Sequence, residues 1–436
     1  MAAADVQIRP SQPETKATTF ELPQSAPLTP SQIAIVKATA PVLKEHGVTI
    51  TTLFYNNMIN AHPELRDIFS HTSQVTGRQP RALAASVLAY AEHVDDLPAL
   101  RHAVERIAQK HVSLTVQPAQ YDIVGKFLME AIGQVLGAAA TPDIVDAWTA
   151  AYGALASVFI TREEQLYSAH EKWRGWRKFR IVRREREADR ITSFYFAPSD
   201  GAAPLPAYLP GQYVSVQVRV PELGYLQSRQ YSLSEAPRAG GAYYRVSVKR
   251  EHDDALGKDG LVSNLLHDKY QVGDEVELTH PAGEFVVDPD DETKVGAPAV
   301  LISAGVGATP LLAILDSLTR VEGGEAVSTK RPLSWIHTSR SAASMPFAEE
   351  VKQKTERAGG KVATHVALRE EGEKRLDVLD LKDREELLFL GDKRAEYYIC
   401  GPEAFMLDLR RKLEGLGVDK NRIFLELFAT GDVPSE

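Results

Sequence analysis

The sequence has a single cysteine, no long apolar run and no excess of positive charge. Because Cys400 is alone among 436 residues, an internal disulfide and any zinc or iron–sulfur site made of several cysteines are excluded. No apolar run approaches the roughly 20 residues that cross a bilayer, so no membrane span is expected. The net charge of −9 argues against a nucleic-acid-binding protein, which is normally basic. We therefore expect a cytoplasmic protein in a reducing compartment, with a mitochondrial location as the alternative.

The length of the chain predicts several domains. A chain of 436 residues is too long for one hydrophobic core and should divide into two or three domains. Its 25% of charged and 44% of hydrophobic residues are ordinary for a soluble globular protein. Residues 1–27 are rich in proline, serine, threonine and alanine and show no periodicity, so they are predicted to form a disordered tail.

Residues 28–168 are predicted to form an all-α domain. Thr29 and Gln32 make a capping-box pattern around Pro30 at the first helical position, and Gly47 is the predicted end of that helix. Apolar residues at helical spacing then continue through residue 168, with no convincing strand pattern among them.

Two polar residues fall on apolar helical faces of this segment. His111 shares its face with Leu100, Val104 and Ile107. Glu163 continues an apolar stripe formed by Val145, Trp148, Tyr152, Leu155 and Phe159. Either residue alone is more simply explained as a satisfied polar core residue or as one that faces solvent. The pair together indicates a metal-ligating histidine whose second ring nitrogen donates to an oriented acceptor.

From residue 179 the apolar period changes from 3.6 to 2, which predicts strands. Turn residues separate these strands, which are 179–187, 191–196, 213–220, 229–234, 244–250 and 275–278. Because no helix pattern is found between these six strands, they indicate a small antiparallel barrel within residues 169–290. Arg229, Tyr231 and Ser232 offer a guanidinium for a pyrophosphate, a ring for a cofactor ring and a hydroxyl for its edge, which suits a flavin. An ordinary strand is the alternative for so short a pattern.

Residues 291–436 have the pattern of a parallel sheet. An apolar strand at 299–304 runs into a glycine-rich turn made of Gly305, Val306, Gly307, Ala308, Thr309 and Pro310. Thr309 as N-cap and Pro310 at the first helical position are predicted to begin a helix whose N-terminus suits a pyrophosphate. Strands and helices then alternate, which predicts a doubly wound α/β domain, at 333–338, 347–357, 362–367, 397–400, 403–416 and 423–428. Cys400 ends one strand, where a binding site or a buried structural cysteine would both fit.

Three groups of motifs occur in an order that resembles a known family. Residues 30–168 resemble the globin of the microbial flavohaemoglobins, and residues 107–111 are similar to its proximal helix. Residues 210–213, 229–232 and 260–264 resemble the flavin domain of the ferredoxin-reductase superfamily, and residues 399–402 resemble its nicotinamide-side loop. The sequence is therefore identified as a member of the flavohaemoglobins. The resemblance implies a globin domain (28–168), an FAD-binding β-barrel (169–290) and an NAD(P)-binding α/β domain (291–436), with haem b, FAD and NAD(P)H as cofactors.

The resemblance also implies roles for residues of the globin. His111 would be the ligand of the haem iron, and Tyr121 and Glu163 would form the hydrogen-bonded relay behind it. Tyr55 would stabilise bound oxygen. Other implied haem-side residues are Gln79, Leu83, Phe69 and Lys110. Ordinary core packing is the alternative for Leu83 and Phe69, and a solvated side chain is the alternative for Lys110.

The implied contacts with FAD and NAD(P)H lie in the other two domains. The residues next to FAD would be Tyr213, Arg229, Gln230, Tyr231, Ser232, Val262, Ser263 and Phe428. The turn of residues 305–310 and Cys400 would contact the nicotinamide dinucleotide. Arg340 would hold a 2′-phosphate, with a free loop arginine as the alternative.

The activity implied by the resemblance is that of a nitric oxide dioxygenase. NAD(P)H would reduce FAD, FAD would reduce the haem, and oxygen at the haem would convert nitric oxide to nitrate. The partners would be small molecules, namely oxygen, nitric oxide and NAD(P)H, and the protein would act as a monomer. Two alternatives stay open: a flavin reductase for outside acceptors, and an oxygen or nitric oxide sensor whose reductase keeps the iron ferrous.

Overall fold

The structure, a computed structural model, describes residues 22–23, 27–238, 240–253, 257–322, 325–326, 331–366 and 376–428. The tail predicted for residues 1–27 lies outside the described residues, apart from 22–23 and 27. The described chain forms a helical domain, an antiparallel β-barrel and a parallel α/β domain, in that order. The predicted fold class is therefore confirmed.

The described part of the first domain contains six α-helices. They are α1 (Pro30–Ala61), α2 (His71–Val75), α3 (Arg78–Glu92), α4 (Arg101–Ser113), α5 (Pro118–Leu136) and α6 (Pro142–Ala169). Phe54, Tyr90 and Trp148 belong to the main core, which buries apolar faces of several of these helices. By length and composition α6 could cross a membrane. However, α6 packs against α1, α4 and α5 and contributes to the core of this domain.

Helix α1 confirms one prediction and corrects another. Thr29 caps the helix, with its side chain accepting from the backbone N–H of Gln32 at 3.2 Å, and the capping box is complete. The helix does not end at Gly47 but continues to Ala61. A Cβ at Gly47 would lie 3.4 Å from the Cβ of Ala84 on α3, which is an ordinary van der Waals distance. Gly47 is therefore an interior residue of a helix that packs against α3.

The second domain is a six-stranded antiparallel sheet that closes on itself. Its elements are β1 (Arg177–Ala188), β2 (Ile191–Pro198), β3 (Tyr213–Val220), β4 (Tyr225–Ser232), β5 (Tyr244–Lys249), the two-residue strands β6 (His252–Asp253) and β7 (Lys258–Asp259), α7 (Leu261–Lys269) and β8 (Glu275–Leu278). The main sheet has the order β4-β3-β8-β1-β2-β5. The expectation that no helix interrupts the six strands was wrong, because α7 lies between β5 and β8 in the chain. A bridge between Leu233 and Val246 joins its two ends, which makes a barrel. Alternating residues such as Phe179, Phe194 and Val216 fill the interior.

The third domain is a parallel sheet covered on both faces. Its elements are β9 (Ala299–Ala304), α8 (Ala308–Leu318), β10 (Val321–Glu322), β11 (Glu325–Ala326), β12 (Leu333–Ser339), α9 (Ala348–Arg357), β13 (Lys361–Val366), α10 (Glu385–Leu388), β14 (Glu396–Cys400), α11 (Glu403–Gly415) and β15 (Ile423–Glu426). The main sheet has the order β13-β12-β9-β14-β15, with every neighbouring pair parallel. The strand order reverses at β9, so a crevice is expected where β9 and β14 end.

The start of α8 differs from the prediction. A 3₁₀ turn at Gly305–Gly307 precedes the helix, which begins at Ala308 rather than after Thr309. Thr309 therefore lies in the first turn, where its hydroxyl donates to the carbonyl of Val306 at 2.9 Å. Pro310 also falls in that turn, where a missing backbone N–H is tolerated.

Candidate redox site

Three predicted residues of the globin meet behind one histidine ring. The Nδ1 atom of His111 lies 2.9 Å from Tyr121 Oη and 2.8 Å from Glu163 Oε1. Tyr121 donates its hydroxyl to the same carboxylate oxygen at 2.5 Å. Helices α4, α5 and α6 supply one residue each, and Glu163 is 3% exposed. Because Nδ1 is engaged, Nε2 is the ring nitrogen left to bind a metal.

The electrostatics of this relay keep Tyr121 as a donor. Burial, followed by the charge of Glu163, raises the pKa of Tyr121 well above its usual value, so its hydroxyl stays protonated. Two hydrogen bonds to one buried carboxylate hold the imidazole in a single orientation and make it electron-rich.

The surroundings of His111 fit a metal that is already held by a macrocycle. Among the described residues there is no group of three or more histidine, cysteine, aspartate or glutamate side chains arranged to hold a metal ion. A single histidine with a carboxylate behind it is instead the proximal side that a haem needs. The residues present therefore fit haem.

The predicted distal residues also meet. Tyr55, on α1, is 4% exposed, and its hydroxyl oxygen accepts from Nε2 of Gln79 at 3.2 Å. The ring of Phe69 lies edge-on to Tyr55, with ring centroids 5.3 Å apart, and Leu83 packs against the same core. Burial raises the pKa of Tyr55, against a smaller lowering by the hydrogen bond from Gln79, so the phenol is neutral and can donate.

Strand β4 presents unsatisfied polar atoms where the flavin was predicted. Tyr231 Oη and Ser232 Oγ are buried without a hydrogen-bond partner in the described part of the chain. The guanidinium of Arg229 donates to the carbonyl of Ser228 at 2.7 Å, and its burial lowers its pKa. Buried donors of this kind normally have partners, so these residues fit a bound ligand that carries phosphate and hydrogen-bonding ring atoms.

The first turn of α7 adds backbone donors to this site. Val262 and Ser263 occupy that turn and are buried, and the N-cap Gly260 supplies no side chain. The free N–H groups of a helix N-terminus attract phosphate. The sequence Gly260 to Ser263 therefore fits a flavin pyrophosphate.

Two predicted flavin contacts also face the globin. Tyr213 hydrogen-bonds to Ser113 at the end of α4, and burial is the largest of the causes that raise the pKa of its phenol. Gln230 donates from Nε2 to Ser113 Oγ at 2.9 Å. The structure thus gives the Gln230 amide a partner in the globin, two residues beyond His111.

The turn that follows β9 touches the end of β14, as the predicted nicotinamide site requires. Gly305 has φ of +55°, and a Cβ on Gly307 would lie 2.2 Å from the carbonyl oxygen of Cys400. Only glycine allows this approach. Ala308, Thr309 and Pro310 are buried beside it. Cys400 is fully buried, and burial, followed by the charge of Glu426, raises the pKa of its thiol.

The last two predicted contacts lie at the surface. Arg340 directly follows β12 and is exposed. Phe428 lies two residues beyond β15 with an exposed fraction of 45%. Both lie just beyond the carboxyl ends of parallel strands, the edge where ligands of such sheets bind.

A group of charges that sequence reasoning missed lies where the three domains meet. Glu426, the last residue of β15, is 7% exposed. Its burial and the charge of Glu284 raise its pKa well above the usual range, while Arg106 and Lys110 of α4 lower it. Arg106 also pairs with Glu284 at 3.0 Å. The sequence did contain one signal for Glu426, namely a carboxylate at the end of an apolar parallel strand. That end lies on the edge of the sheet where ligands bind.

The fold and these sites define a class of protein: a globin joined in one chain to a flavin reductase that uses a pyridine nucleotide. Comparison with known families agrees. The Globin family model matches residues 52–159, and the Oxidoreductase NAD-binding domain model matches residues 301–411.

Known proteins match the chain over nearly its whole length. It is 46% identical to a flavohemoprotein of Bordetella pertussis over 422 residues, which is 93% of this chain and 100% of the relative. It is 44% identical to a flavohemoprotein of Chromobacterium violaceum over 413 residues, 91% of this chain and 97% of that relative. The crystal structure of a flavohemoglobin from Malassezia yamatoensis with bound FAD and heme has a TM-score of 0.79 and 31% identity, and the match covers 93% of this chain and 100% of that one. The chain belongs to the flavohaemoglobin family and is an oxidoreductase.

Proposed function

We propose that this protein is a nitric oxide dioxygenase that takes electrons from NAD(P)H and converts nitric oxide and oxygen to nitrate. The observation that carries the proposal is the relay of His111, Tyr121 and Glu163. A carboxylate behind the imidazole makes the histidine a stronger electron donor, which favours activation of oxygen over its storage.

The chain holds its three cofactors at three sites. His111 Nε2 would hold haem b, and Arg229, Tyr231, Ser232 and the first turn of α7 would hold FAD. The turn of residues 305–310, next to Cys400, would hold NAD(P)H. When bound, these cofactors supply hydride transfer to the flavin, single-electron transfer to the haem and the reaction of oxygen with nitric oxide. The corresponding domain limits are 28–168, 169–290 and 291–436.

The relay fixes the protonation and the orientation of the proximal histidine. Glu163 accepts two hydrogen bonds, one from the Nδ1–H of His111 and one from the hydroxyl of Tyr121. This arrangement keeps the lone pair on Nε2, which is the atom that must point at a metal. The hydrogen bond from the Nδ1–H to the carboxylate raises the electron density of the ring.

On the distal side Tyr55 acts as a hydrogen-bond donor. Gln79 donates to the phenol oxygen, so the hydroxyl proton of Tyr55 is free to point into the pocket. A neutral phenol aimed at developing negative charge stabilises that charge without reorganisation. Phe69 and Leu83 pack against the same core, and their apolar side chains would keep water away from the ligand.

Charged residues between the reductase and the globin hold the two parts of the chain in a defined relative position. The ion pair of Arg106 and Glu284 connects α4 to the segment that follows the barrel. Glu426 brings a second carboxylate from the α/β domain, and Lys110 lies next to His111 on α4. The helix that carries the proximal histidine is therefore fixed against both halves of the reductase. The protein acts as a cytoplasmic monomer on small molecules.

The test is to follow electrons and nitric oxide in the purified protein loaded with haem and FAD. NADH or NADPH, added without oxygen, is expected to reduce both the flavin and the haem. In air, nitric oxide should then disappear with an equal amount of nitrate formed. His111→Ala should keep flavin reduction and lose this consumption. Reduced flavin beside persistently ferric haem in the unmodified protein would instead identify a plain flavin reductase.

A further inference from the structure

A loop of the globin lies directly on one strand of the flavin barrel. This distal loop, residues 66–72, leads from the 3₁₀ turn Pro63–Asp67 into α2 and contains Phe69. It rests on β4, the strand that also carries Arg229, Tyr231 and Ser232. The loop that shapes the distal pocket thus touches the strand that forms the flavin site.

One side chain, that of Gln227, makes more hydrogen bonds in this contact than any other residue of β4. The amide nitrogen of Gln227 lies within hydrogen-bond distance of three carbonyl oxygens, those of Arg66 at 2.9 Å, Leu226 at 3.0 Å and Phe69 at 3.2 Å, which share its two protons. Its amide oxygen accepts from the backbone N–H of His71 at 2.8 Å. Gln227 is 1% exposed, so these bonds are shielded from water. Buried backbone groups that lose such a partner are destabilised.

Neighbouring residues of β4 make further hydrogen bonds to the same loop. The backbone N–H of Leu226 donates to Asp67 Oδ1 at 2.9 Å. The Tyr225 hydroxyl lies 2.9 Å from Nδ1 of His71, which involves only the side chain of that histidine. Among these side chains of β4, Gln227 is therefore the one that holds the backbone of Phe69.

The position of Phe69 matters because its ring is part of the distal pocket. Its ring lies edge-on to Tyr55, with centroids 5.3 Å apart. Tyr55 in turn receives the hydrogen bond from Gln79. A shift of the Phe69 backbone would therefore move the ring that packs against the ligand-facing phenol.

We propose that Gln227 is a positioning residue: by holding the Phe69 carbonyl it fixes the Phe69 ring against Tyr55, so a residue of the flavin barrel sets how tightly the distal pocket retains its ligand. The inference rests on the proposed function, in which Tyr55 stabilises the ligand. Because Gln227 and Arg229 share one strand, the element that holds the flavin also holds the distal loop.

The test compares three variants as ferrous protein loaded with haem, prepared with dithionite and then desalted. Gln227→Leu removes every bond from the side chain. Gln227→Glu keeps an acceptor for His71 N–H but places a carboxylate against the Arg66 and Phe69 carbonyls. Tyr225→Phe is the matched control on the same strand. The readouts are the rate of oxygen dissociation, by displacement with carbon monoxide, and the rate of flavin reduction by NAD(P)H.

Both Gln227 variants are expected to release oxygen about 3- to 30-fold faster, with flavin reduction unchanged. Tyr225→Phe should stay within about twofold of the unmodified protein. Unchanged oxygen dissociation in the folded Gln227 variants, or an equal acceleration in Tyr225→Phe, would overturn the inference. The dissociation measurement uses neither nitric oxide nor NAD(P)H, so a failure of the proposed dioxygenase activity would appear separately, as absent nitrate formation by the unmodified protein.

Discussion

Tyr55 is a buried phenol whose hydroxyl can donate into the distal pocket. Because Gln79 donates to its oxygen and burial keeps it protonated, its own proton is available to a ligand. Tyr55→Phe removes one hydrogen bond and is expected to speed oxygen dissociation roughly tenfold, equivalent to about 1.4 kcal/mol. Nitrate formation should fall in parallel. Gln79→Leu serves as the companion variant and should show a smaller effect, whereas unchanged dissociation in Tyr55→Phe would remove Tyr55 from its proposed role.

Glu163 is the only carboxylate that contacts His111 in the described part of the chain. Glu163→Gln keeps the shape of the side chain but removes the negative charge that attracts the Nδ1 proton. The haem midpoint potential is expected to rise by about 60 mV, equivalent to about 1.4 kcal/mol for one electron. Spectroelectrochemical titration measures this shift. Glu164→Gln, an exposed neighbour on α6, is the matched control. Equal potentials in Glu163→Gln and the unmodified protein would contradict the relay.

His337 makes the stability of the α/β domain sensitive to acid. It is 1% exposed, hydrogen-bonds to Ser303 Oγ at 2.7 Å and Ser339 Oγ at 3.2 Å, and burial lowers its pKa from 6.5 to about 4. Since the folded state resists protonation, the stability is present above pH 6.5 and is lost as the pH falls towards about 4.

His337→Gln should therefore reduce the acid sensitivity of this domain. Between pH 7.5 and 4.5 the unmodified protein is expected to lose roughly 2–3 kcal/mol more of its free energy of unfolding than the variant loses. Urea unfolding at the two pH values measures both losses. If the unmodified protein and the variant lose the same amount, the titration of His337 is not responsible.

Some residues of the site could not be found from sequence patterns. His111 and Glu163 stood out because each interrupts an apolar helical stripe, and the structure brings them together. Gln227 carries no such signal, since its partners in the distal loop lie more than 150 residues away in the chain. Glu426 ends an ordinary strand, and only the packing of three domains places it near Arg106 and Lys110.

At the scale of elements, the periodicity of apolar residues predicted strands and helices, and the structure changes the limits of some of them. Strands at 213–220, 275–278 and 299–304 agree with the structure residue for residue. The fourth barrel strand begins at Tyr225, four residues before the predicted start. The prediction missed these residues because Gln227 and Ser228 are polar, although the globin and the sheet bury them. The predicted helix limits at Gly47 and Thr309 were wrong, because α1 continues through Gly47 and a 3₁₀ turn precedes α8. Tertiary structure overrides local propensity at both places.

The contact between the turn after β9 and the end of β14 should be sensitive to one methyl group. Gly307→Ala would place its Cβ 2.2 Å from the Cys400 carbonyl oxygen, so the two loops must separate. The rate of flavin reduction at low NAD(P)H is expected to fall about tenfold or more, with oxygen dissociation unchanged. Stopped-flow absorbance measures both rates.

The control for this variant is Gly415→Ala on α11, where an added Cβ meets nothing within 4 Å. This change should leave flavin reduction at the unmodified rate. If Gly307→Ala also reduced the flavin at that rate, the turn of residues 305–310 would not be where the nicotinamide dinucleotide binds.

At the scale of the whole molecule, polar contacts with defined partners join the three domains. Gln227 connects the barrel to the distal loop, and Arg106 connects α4 to Glu284. Between the barrel and the α/β domain, buried Arg245 lies 3.3 Å from Glu350 and packs over the ring of Phe347. A single chain arranged in this way brings the globin, the flavin barrel and the α/β domain together, as the proposed function requires.

The most direct test of this account is the origin of the oxygen atoms in the product. The holoprotein is supplied with NAD(P)H, nitric oxide and oxygen labelled with ¹⁸O, and the nitrate is analysed by mass spectrometry. A dioxygenase should place two labelled atoms in each nitrate, in an amount equal to the nitric oxide consumed. Nitrite as the main product, or nitrate with a single label, would contradict the proposed reaction.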